Sequence, residues 1–288
     1  MTARRAAASA PVGKTAEAGA PADARGALVE IERPEAGLLV LTLARPEARN
    51  SLSSAMLAAL QEAIAMASID GGVRAVVIAG KGPAFSAGHD LRELTEHRGD
   101  PDGGRGFTEL LMRECATFML SILRCPRPVI AAVEGVASAA GCQLVATCDL
   151  AVASETARFA TPGVNIGLFC STPMVALSRN VPRKRAMEML LLGEMLPARA
   201  AAEYGLVNRV VTADKLLDET LGLARLIASK PATTLAIGKE AFYRQIEMPL
   251  AEAYDYAAGV MVTNMLHGEA KEGIGAFIDK RLPDWTKG

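Results

Sequence analysis

Two short segments of this chain combine small residues with a position just after a buried-strand pattern. AFSAGHDL (Ala84–Leu91) follows AVVIAG (Ala75–Gly80) through a glycine-rich connection, and ASAAGCQL (Ala137–Leu144) follows PVIAAVEG (Pro128–Gly135). Small side chains let a backbone come close to a ligand. The second segment is expected to open a helix near Ala139, where the first N–H groups have no intrahelical partner and the helix dipole is positive. One such amide from each segment could hold an oxygen that develops negative charge. The residue types leave a second reading open, in which both segments are tight strand-to-helix turns whose small residues serve packing alone.

The side chains beside these amides offer little acid–base chemistry. Gln143 has the shape of a glutamate without its proton. His89 could approach a bound group or cap the backbone of its own loop. Asp90 fits a role in bonding loop amides, as aspartate does in turns. Cys170 would be reactive only with a depressed pKa and is otherwise a small buried thiol. The five cysteines (Cys115, Cys125, Cys142, Cys148, Cys170) form no CxxC pair, so they read as thiols in a reducing compartment. The three histidines (His89, His97, His267) lack HExxH or paired-ligand spacing, and no metal site is expected.

Alternating apolar strands and helical stripes must position these segments. Strands are expected at LVEIE and at Leu38–Ala44, Ala75–Gly80, Pro128–Gly135 and Asp149–Ser154. Ser53 is placed to cap a helix through Ile69 whose stripe is Met56, Leu57, Leu60, Ile64 and Met66. Another helix spans Phe107–Leu123. Largely apolar strands between helices imply sheets covered by helices, an α/β body. After Val211 the pattern turns wholly helical, over Ala213–Ser229, Thr233–Gln245, Ala251–Leu266 and Glu269–Lys280. The expected organisation is an extension over 1–26, an α/β core over 27–211 and a helical region over 212–288.

Composition limits the partners. Of 288 residues, 50% are hydrophobic and 22% charged, and the formal net charge is -1, which argues against nucleic acid or an acidic membrane as the main partner. No apolar run approaches the roughly 18 residues that span a bilayer; MEMLLLG (Met187–Gly193) has the length of a core helix. Residues 1–26 are rich in Ala, Gly and Pro and are expected to be disordered. The compartment expected is the cytoplasm, or the mitochondrial matrix if this basic-first extension is a transit peptide.

A resemblance brings these pieces together. RPEARNSL (Arg45–Leu52), AFSAGHDL, EGVASAAGC (Glu134–Cys142), CDLAVAS (Cys148–Ser154), FATPGVNIG (Phe159–Gly167) and GIGAFIDKRLPDW (Gly273–Trp285) resemble, in this order, the motifs of the crotonase (enoyl-CoA hydratase/isomerase) superfamily. The likeness covers nearly everything after Arg25 and is greatest to a subgroup of hydratase-domain proteins. It implies a crotonase-like spiral of ββα units with a C-terminal all-helical subdomain, assembled as a trimer or a dimer of trimers. It also implies an acyl-CoA thioester substrate, with coenzyme A present only as part of that substrate and no permanent cofactor.

Site roles follow from the same resemblance. The amides of His89 and Ala140 correspond to the two donors that hold the thioester oxygen as it becomes an enolate. Ala140 stands where a glycine is usual. Arg49, Ala87, Asp90, Leu91 and Arg92 correspond to the loops that CoA crosses, and Phe277 and Lys280 reach CoA from the last helix. Gln143 and Gly163 occupy the places of the two hydratase glutamates, so proton transfer worth roughly 10²–10⁴-fold per group is absent from both. SAGHD and TP-x-VN-x-G are also similar to the superfamily's methylmalonyl-CoA decarboxylase, with Cys170 at its tyrosine's place, and TPGVNIGLF is similar to naphthoyl-CoA synthases. The activities implied are therefore enoyl-CoA hydration with His89 or a bound anion as proton source, decarboxylation of a malonyl-type CoA, or acyl-CoA binding without turnover.

Overall fold

The computed structural model describes residues 27–285; the extension expected over 1–26 lies outside them. The strands are β1 (Val29–Glu32), β2 (Gly37–Leu43), β3 (Val73–Gly80), β4 (Ala84–Ser86), β5 (Val129–Val133), β6 (Val136–Ser138), β7 (Leu150–Ser154), β8 (Arg158–Ala160), β9 (Leu196–Pro197) and β10 (Arg209–Val211). The helices are α1 (Ser54–Ile69), α2 (Leu91–Glu96), α3 (Arg105–Arg124), α4 (Ala140–Thr147), α5 (Pro173–Asn180), α6 (Arg183–Leu192), α7 (Ala198–Glu203), α8 (Leu216–Ala228), α9 (Ala232–Gln245), α10 (Leu250–Leu266) and α11 (Gly268–Ile278).

Two sheets organise the body. The larger runs β1-β2-β3-β5-β7-β10 and is parallel except for β1 on β2. The smaller runs β4-β6-β8-β9, with β4, β6 and β8 parallel. Each turn of the chain adds one strand to each sheet and then a helix: β3, β4, α2; β5, β6, α4; β7, β8 and a short 3-10 helix (Pro162–Ile166). This is the ββα spiral. The strands of the smaller sheet are only two or three residues long, too short to carry a hydrophobic period, and they went unread in the sequence.

The larger sheet is apolar on both faces because both are covered. One core joins it to α1, α3 and α4 through Leu39, Leu41, Leu57, Leu60, Phe85, Phe118 and Phe159. Ser53 caps α1 as expected, its hydroxyl accepting from the Met56 amide at 3.2 Å. On the other face, Leu216, Leu221 and Ala224 of α8 cover Val40, Val77, Ile130 and Val152. By contrast α6, expected as a core helix, buries Ala186, Met189 and Leu190 but leaves Met187, Leu191 and Leu192 about half exposed. Its apolar run is continuous while its buried face is a stripe.

The three last helices are attached differently. No residue of α9 is buried, and α10 buries only Ala253. What fastens α9 is polar: Lys239 Nζ donates to the carbonyls of Ile122 and Arg127 and pairs with Asp149 at 2.6 Å, while Tyr243 donates to the same carboxylate. Glu269 of α11 accepts from the amides of Thr233 and Thr234 at the start of α9. Phe242, Met261, Met265 and Phe277 are exposed, whereas Ile237 is partly covered.

Candidate active site

The small sheet aims its three parallel strands at one place. His89, Gln143 and Thr161 all follow the C-terminal ends of β4, β6 and β8, the edge of a parallel sheet where loops gather ligand groups. The loop before α1 is tied to this edge by buried Asn50, whose amide donates to the carbonyls of Lys81 and Ala84 and accepts from the Arg45 amide. Ser86 returns a bond to the Asn50 carbonyl, and the Ala87 amide bonds the carbonyl of Arg49.

The two candidate donor segments press together. Gly88 has φ 91°, and a Cβ there would lie 2.9 Å from the Ala139 Cβ and 3.0 Å from the Ala140 nitrogen. Only glycine suits both that angle and that contact. Among the described residues the N–H groups of His89 and Ala140 have no hydrogen-bond partner. Ala140 is the first residue of α4, so its free amide is the helix-start orphan expected from the sequence. The restricted backbone lies one residue before Ala140: Ala139 has φ 49° and ψ -117°, a region that turns reserve for glycine. Its amide is held by the Ala160 carbonyl at 2.9 Å, which keeps an alanine in a conformation costing on the order of 1–3 kcal/mol.

The His89 ring bonds the backbone of the segment before α1, not of its own loop. Its Nδ1 lies 3.4 Å from the Leu52 carbonyl, and a carbonyl only accepts, so Nδ1 carries the proton and Nε2 is left with a lone pair. That Nε2 is buried without a partner. Burial lowers the ring's pKa, against the opposing pull of the Leu52 carbonyl and Glu93, so the imidazole is neutral near pH 7.

Asp90 proves to be a loop fastener. Burial would raise its pKa, but Ser51, the Arg92 amide and Arg45 hold it lowered. Its oxygens accept from Ser51 and Arg45, both at 3.0 Å, and from the Arg92 amide at the start of α2. These bonds tie the carboxylate to the loop before α1 and to the start of α2. Arg49 and Arg92 stay exposed, with no partner among the described residues, and Ala87 and Leu91 complete the loop.

The acid half of the site is neutral in two different ways. Gln143, 6% exposed on the first turn of α4, has its Oε1 buried and unpartnered. Gly163 has no positive φ and lies in the short 3-10 helix. Close approach explains the glycine instead: a Cβ there would lie 2.8 Å from the Leu168 oxygen and 2.9 Å from Cys170 Sγ. The Cys170 sulfur accepts from the Gly163 amide at 3.3 Å. Burial pushes its thiol up, the wrong direction for a nucleophile, so Cys170 fills space. Thr161, which directly follows the short β8 and was given no role from the sequence, is 1% exposed with its hydroxyl unpartnered.

Two expected site residues stand apart. Phe277 lies in the last turn of α11, which packs on α9 and α10, and Lys280 lies two residues beyond its end; Phe277 is 86% exposed. No described contact joins them to the loops above. The surface clefts of about 190 Å³ beside Glu188 and Tyr204 and about 350 Å³ beside Glu32 and Asp214 contain none of these site residues. Among the described residues no group of acidic, histidine and cysteine side chains could hold a metal, and no helix is long and apolar enough to cross a membrane.

Comparison with known proteins agrees with this geometry. Residues 33–288 match the model of the enoyl-CoA hydratase/isomerase family. The chain belongs to that family. As a member of the enoyl-CoA hydratase/isomerase family it is 46% identical over 250 residues to the human enoyl-CoA hydratase domain-containing protein 3, mitochondrial, covering 87% of this chain and 81% of that one. A crystal structure of enoyl-CoA hydratase from Mycobacterium smegmatis superposes with a TM-score of 0.86 at 52% identity, covering 91% of this chain and all (100%) of that one. The crystal structure of the human domain-containing protein 3 gives 0.85 at 45% identity, over 90% and 100% of the two chains. The crotonase fold and the hydratase-domain subgroup read from the sequence both stand.

Proposed function

We propose that this chain acts on acyl-CoA thioesters, holding the thioester oxygen between the amides of His89 and Ala140 as it takes on enolate charge. The observation that carries this is the pair of unpartnered amides on two segments in contact at Gly88 and Ala140. Each such preorganised donor contributes roughly 3–4 kcal/mol of transition-state stabilisation in other enzymes. Arg49 and Arg92 are free to meet the phosphates of CoA, and Lys280 and Phe277 would reach it from a second copy of the chain.

Within this reading the reaction is a hydro-lyase step on a 2-enoyl-CoA, with His89 in place of the missing glutamates. As water adds to C3, Nε2 takes its proton and the electron pair of the double bond moves onto the thioester oxygen. The imidazolium then returns a proton to C2, closing the balance. The neutral, unpartnered Nε2 supports this assignment. Decarboxylation of a malonyl-type ester is favoured less, because Ala87–Asp90, Ala139–Gln143 and Thr161–Gly163 contain no cation for a carboxylate.

The test is loss of crotonyl-CoA absorbance with calorimetric binding beside it. Slow hydration abolished by His89→Ala, with CoA-ester affinity retained, is the expected result. Binding without any turnover identifies an acyl-CoA binder, and turnover untouched by the substitution removes His89 from the role.

Assembly and compartment complete the proposal. The exposed faces of α9–α11 support self-association as a trimer or a dimer of trimers. The human and mouse relatives are named mitochondrial, which supports the matrix over the cytoplasm, with residues 1–26 as the transit peptide.

A further inference from the structure

Backbone strain at a reaction site raises the question of what it secures. Among the described residues the non-glycine positions with a positive φ are Arg49, Asn50, Ala139 and Lys280. Arg49 sits in the ordinary left-handed region, at ψ 38°. Ala139 does not: φ 49° with ψ -117° is the geometry of the first central residue of a type II′ turn, a place dominated by glycine. A glycine would adopt those angles without strain. The two residues differ by one methyl group, so whatever the strain secures comes from that methyl.

Ala139 stands between the two candidate donors. The Ala140 N–H belongs to the Ala139–Ala140 peptide, and the His89 N–H belongs to the Gly88–His89 peptide. In a trans peptide the carbonyl and the N–H point opposite ways. The Gln143 amide fastens the Ala139 carbonyl at 3.0 Å, and the Leu52 amide fastens the Gly88 carbonyl at 2.8 Å. The direction of each donor is therefore set by a bond made behind it. What these bonds leave open is the separation of the two peptide planes. There the Ala139 methyl faces Gly88, since a side chain begun on Gly88 would meet that methyl, the Ser138 carbonyl and the Ala140 nitrogen first. The Ala139 amide is itself held by the Ala160 carbonyl at 2.9 Å, so the methyl cannot turn aside.

We infer that Ala139 is a positioning residue whose methyl, held at a strained angle, spaces the His89 and Ala140 amides for one thioester oxygen. A glycine in its place would release the strain and let the Gly88 segment settle toward the start of α4. Hydrogen bonds weaken steeply as their angle closes, so both donors would then reach the oxygen less well. The inference rests on the acyl-CoA reading above and adds a residue that acts through the two amides.

The test separates stability from function. Acetyl-CoA isotopically labelled at its thioester carbonyl is a saturated probe that hydration cannot consume, and infrared difference spectra report how strongly its bound carbonyl is polarised. In the parent protein the carbonyl stretch should move to lower frequency on binding, as two preorganised donors require. Ala139→Gly should fold with a raised denaturation midpoint, because glycine accepts the backbone angle, yet lose about half or more of that shift. Ala139→Ser, which retains the Cβ, should keep it. A purely structural role predicts instead that the relaxed glycine variant shows the full shift. An undiminished shift in Ala139→Gly, or a loss in Ala139→Ser equal to the loss in the glycine variant, overturns the spacer while leaving the acyl-CoA reading intact. No binding of the ester, or no shift in the parent protein, overturns that reading and the spacer with it.

Discussion

The two segments that follow β6 and β8, where the family resemblance places the hydratase glutamates, carry no carboxylate at Gln143 and Gly163 and differ in the space they leave for one. On the first turn of α4, Gln143 keeps the length and shape of a glutamate and surrenders only the charge. After β8, Gly163 has no side chain, and the Leu168 carbonyl and Cys170 Sγ occupy the space a Cβ would need. The first position is chemically silenced but sterically open. The second is rebuilt, so one substitution can restore a carboxylate at 143 but not at 163.

That contrast can be broken by substitution, beginning with Gly163→Glu. Its Cβ alone meets two fixed neighbours below 3 Å, so unfolding in urea should show a loss of about 3 kcal/mol or more from overpacking and a buried carboxylate, part of it recovered by adding Cys170→Ala. A loss under about 1 kcal/mol would mean the space is not truly filled. Restoring a two-glutamate hydratase by the double change at 143 and 163 is therefore not expected without remodelling Leu168–Cys170.

Gly88→Ala tests the half of the site that was kept. Its positive φ and its contacts with Ala139 and Ala140 should cost about 2 kcal/mol and weaken CoA-ester binding by spreading the two amides. Stability and affinity that both survive would show that the segments tolerate separation. Ala139→Gly works in the other direction. Relief of the positive φ, less the chain entropy glycine adds, should stabilise the protein by about 1 kcal/mol, and an unchanged or lower denaturation midpoint would remove strain from the description.

The smallest effects are expected at Gln143 and His89, and both read through pH. A carboxylate from Gln143→Glu sits where only 6% of the residue is exposed, so its folded pKa rises above the unfolded value near 4.3. The variant should match the parent below that pH and lose stability as pH rises toward the folded pKa; the reverse slope would place the position in water. His89 has the opposite linkage. Its pKa is lowered from 6.5 by burial, so the unfolded chain binds a proton that the native chain refuses. Stability should fall as pH drops below 6.5 and level off beneath the folded pKa, and His89→Asn should remove that component.

The strands of the large sheet other than the three-residue β10, α1 with its Ser53 cap, α3, and the helical ending were legible, because each carries a period or a cap within one continuous stretch. The candidate donors were legible for the same reason, as small residues at a strand-to-helix junction. The strands of the small sheet were not, since three residues cannot show a period, and with them Thr161 stayed hidden. α8 reads like its three successors in sequence, yet it closes a sheet while α9–α11 bury almost nothing.

Composition and pattern alone determined an α/β body with a helical end and two segments able to offer free amides; that Gln143 and Gly163 stand at the places of two acids was implied only by the family resemblance. The body and the two segments are properties of local sequence, since periodicity, caps and residue type need no knowledge of neighbours. Tertiary structure decided which residue carries each constraint. Contact with Cys170, 7 residues away in the chain, makes Gly163 a matter of volume rather than backbone angle. The Ala160 carbonyl holds the strain at Ala139, and Ser51 and Arg45 turn Asp90 into a fastener. Each of these depends on a partner outside the residue's own element, and no single-sequence pattern encodes where such a partner comes to rest.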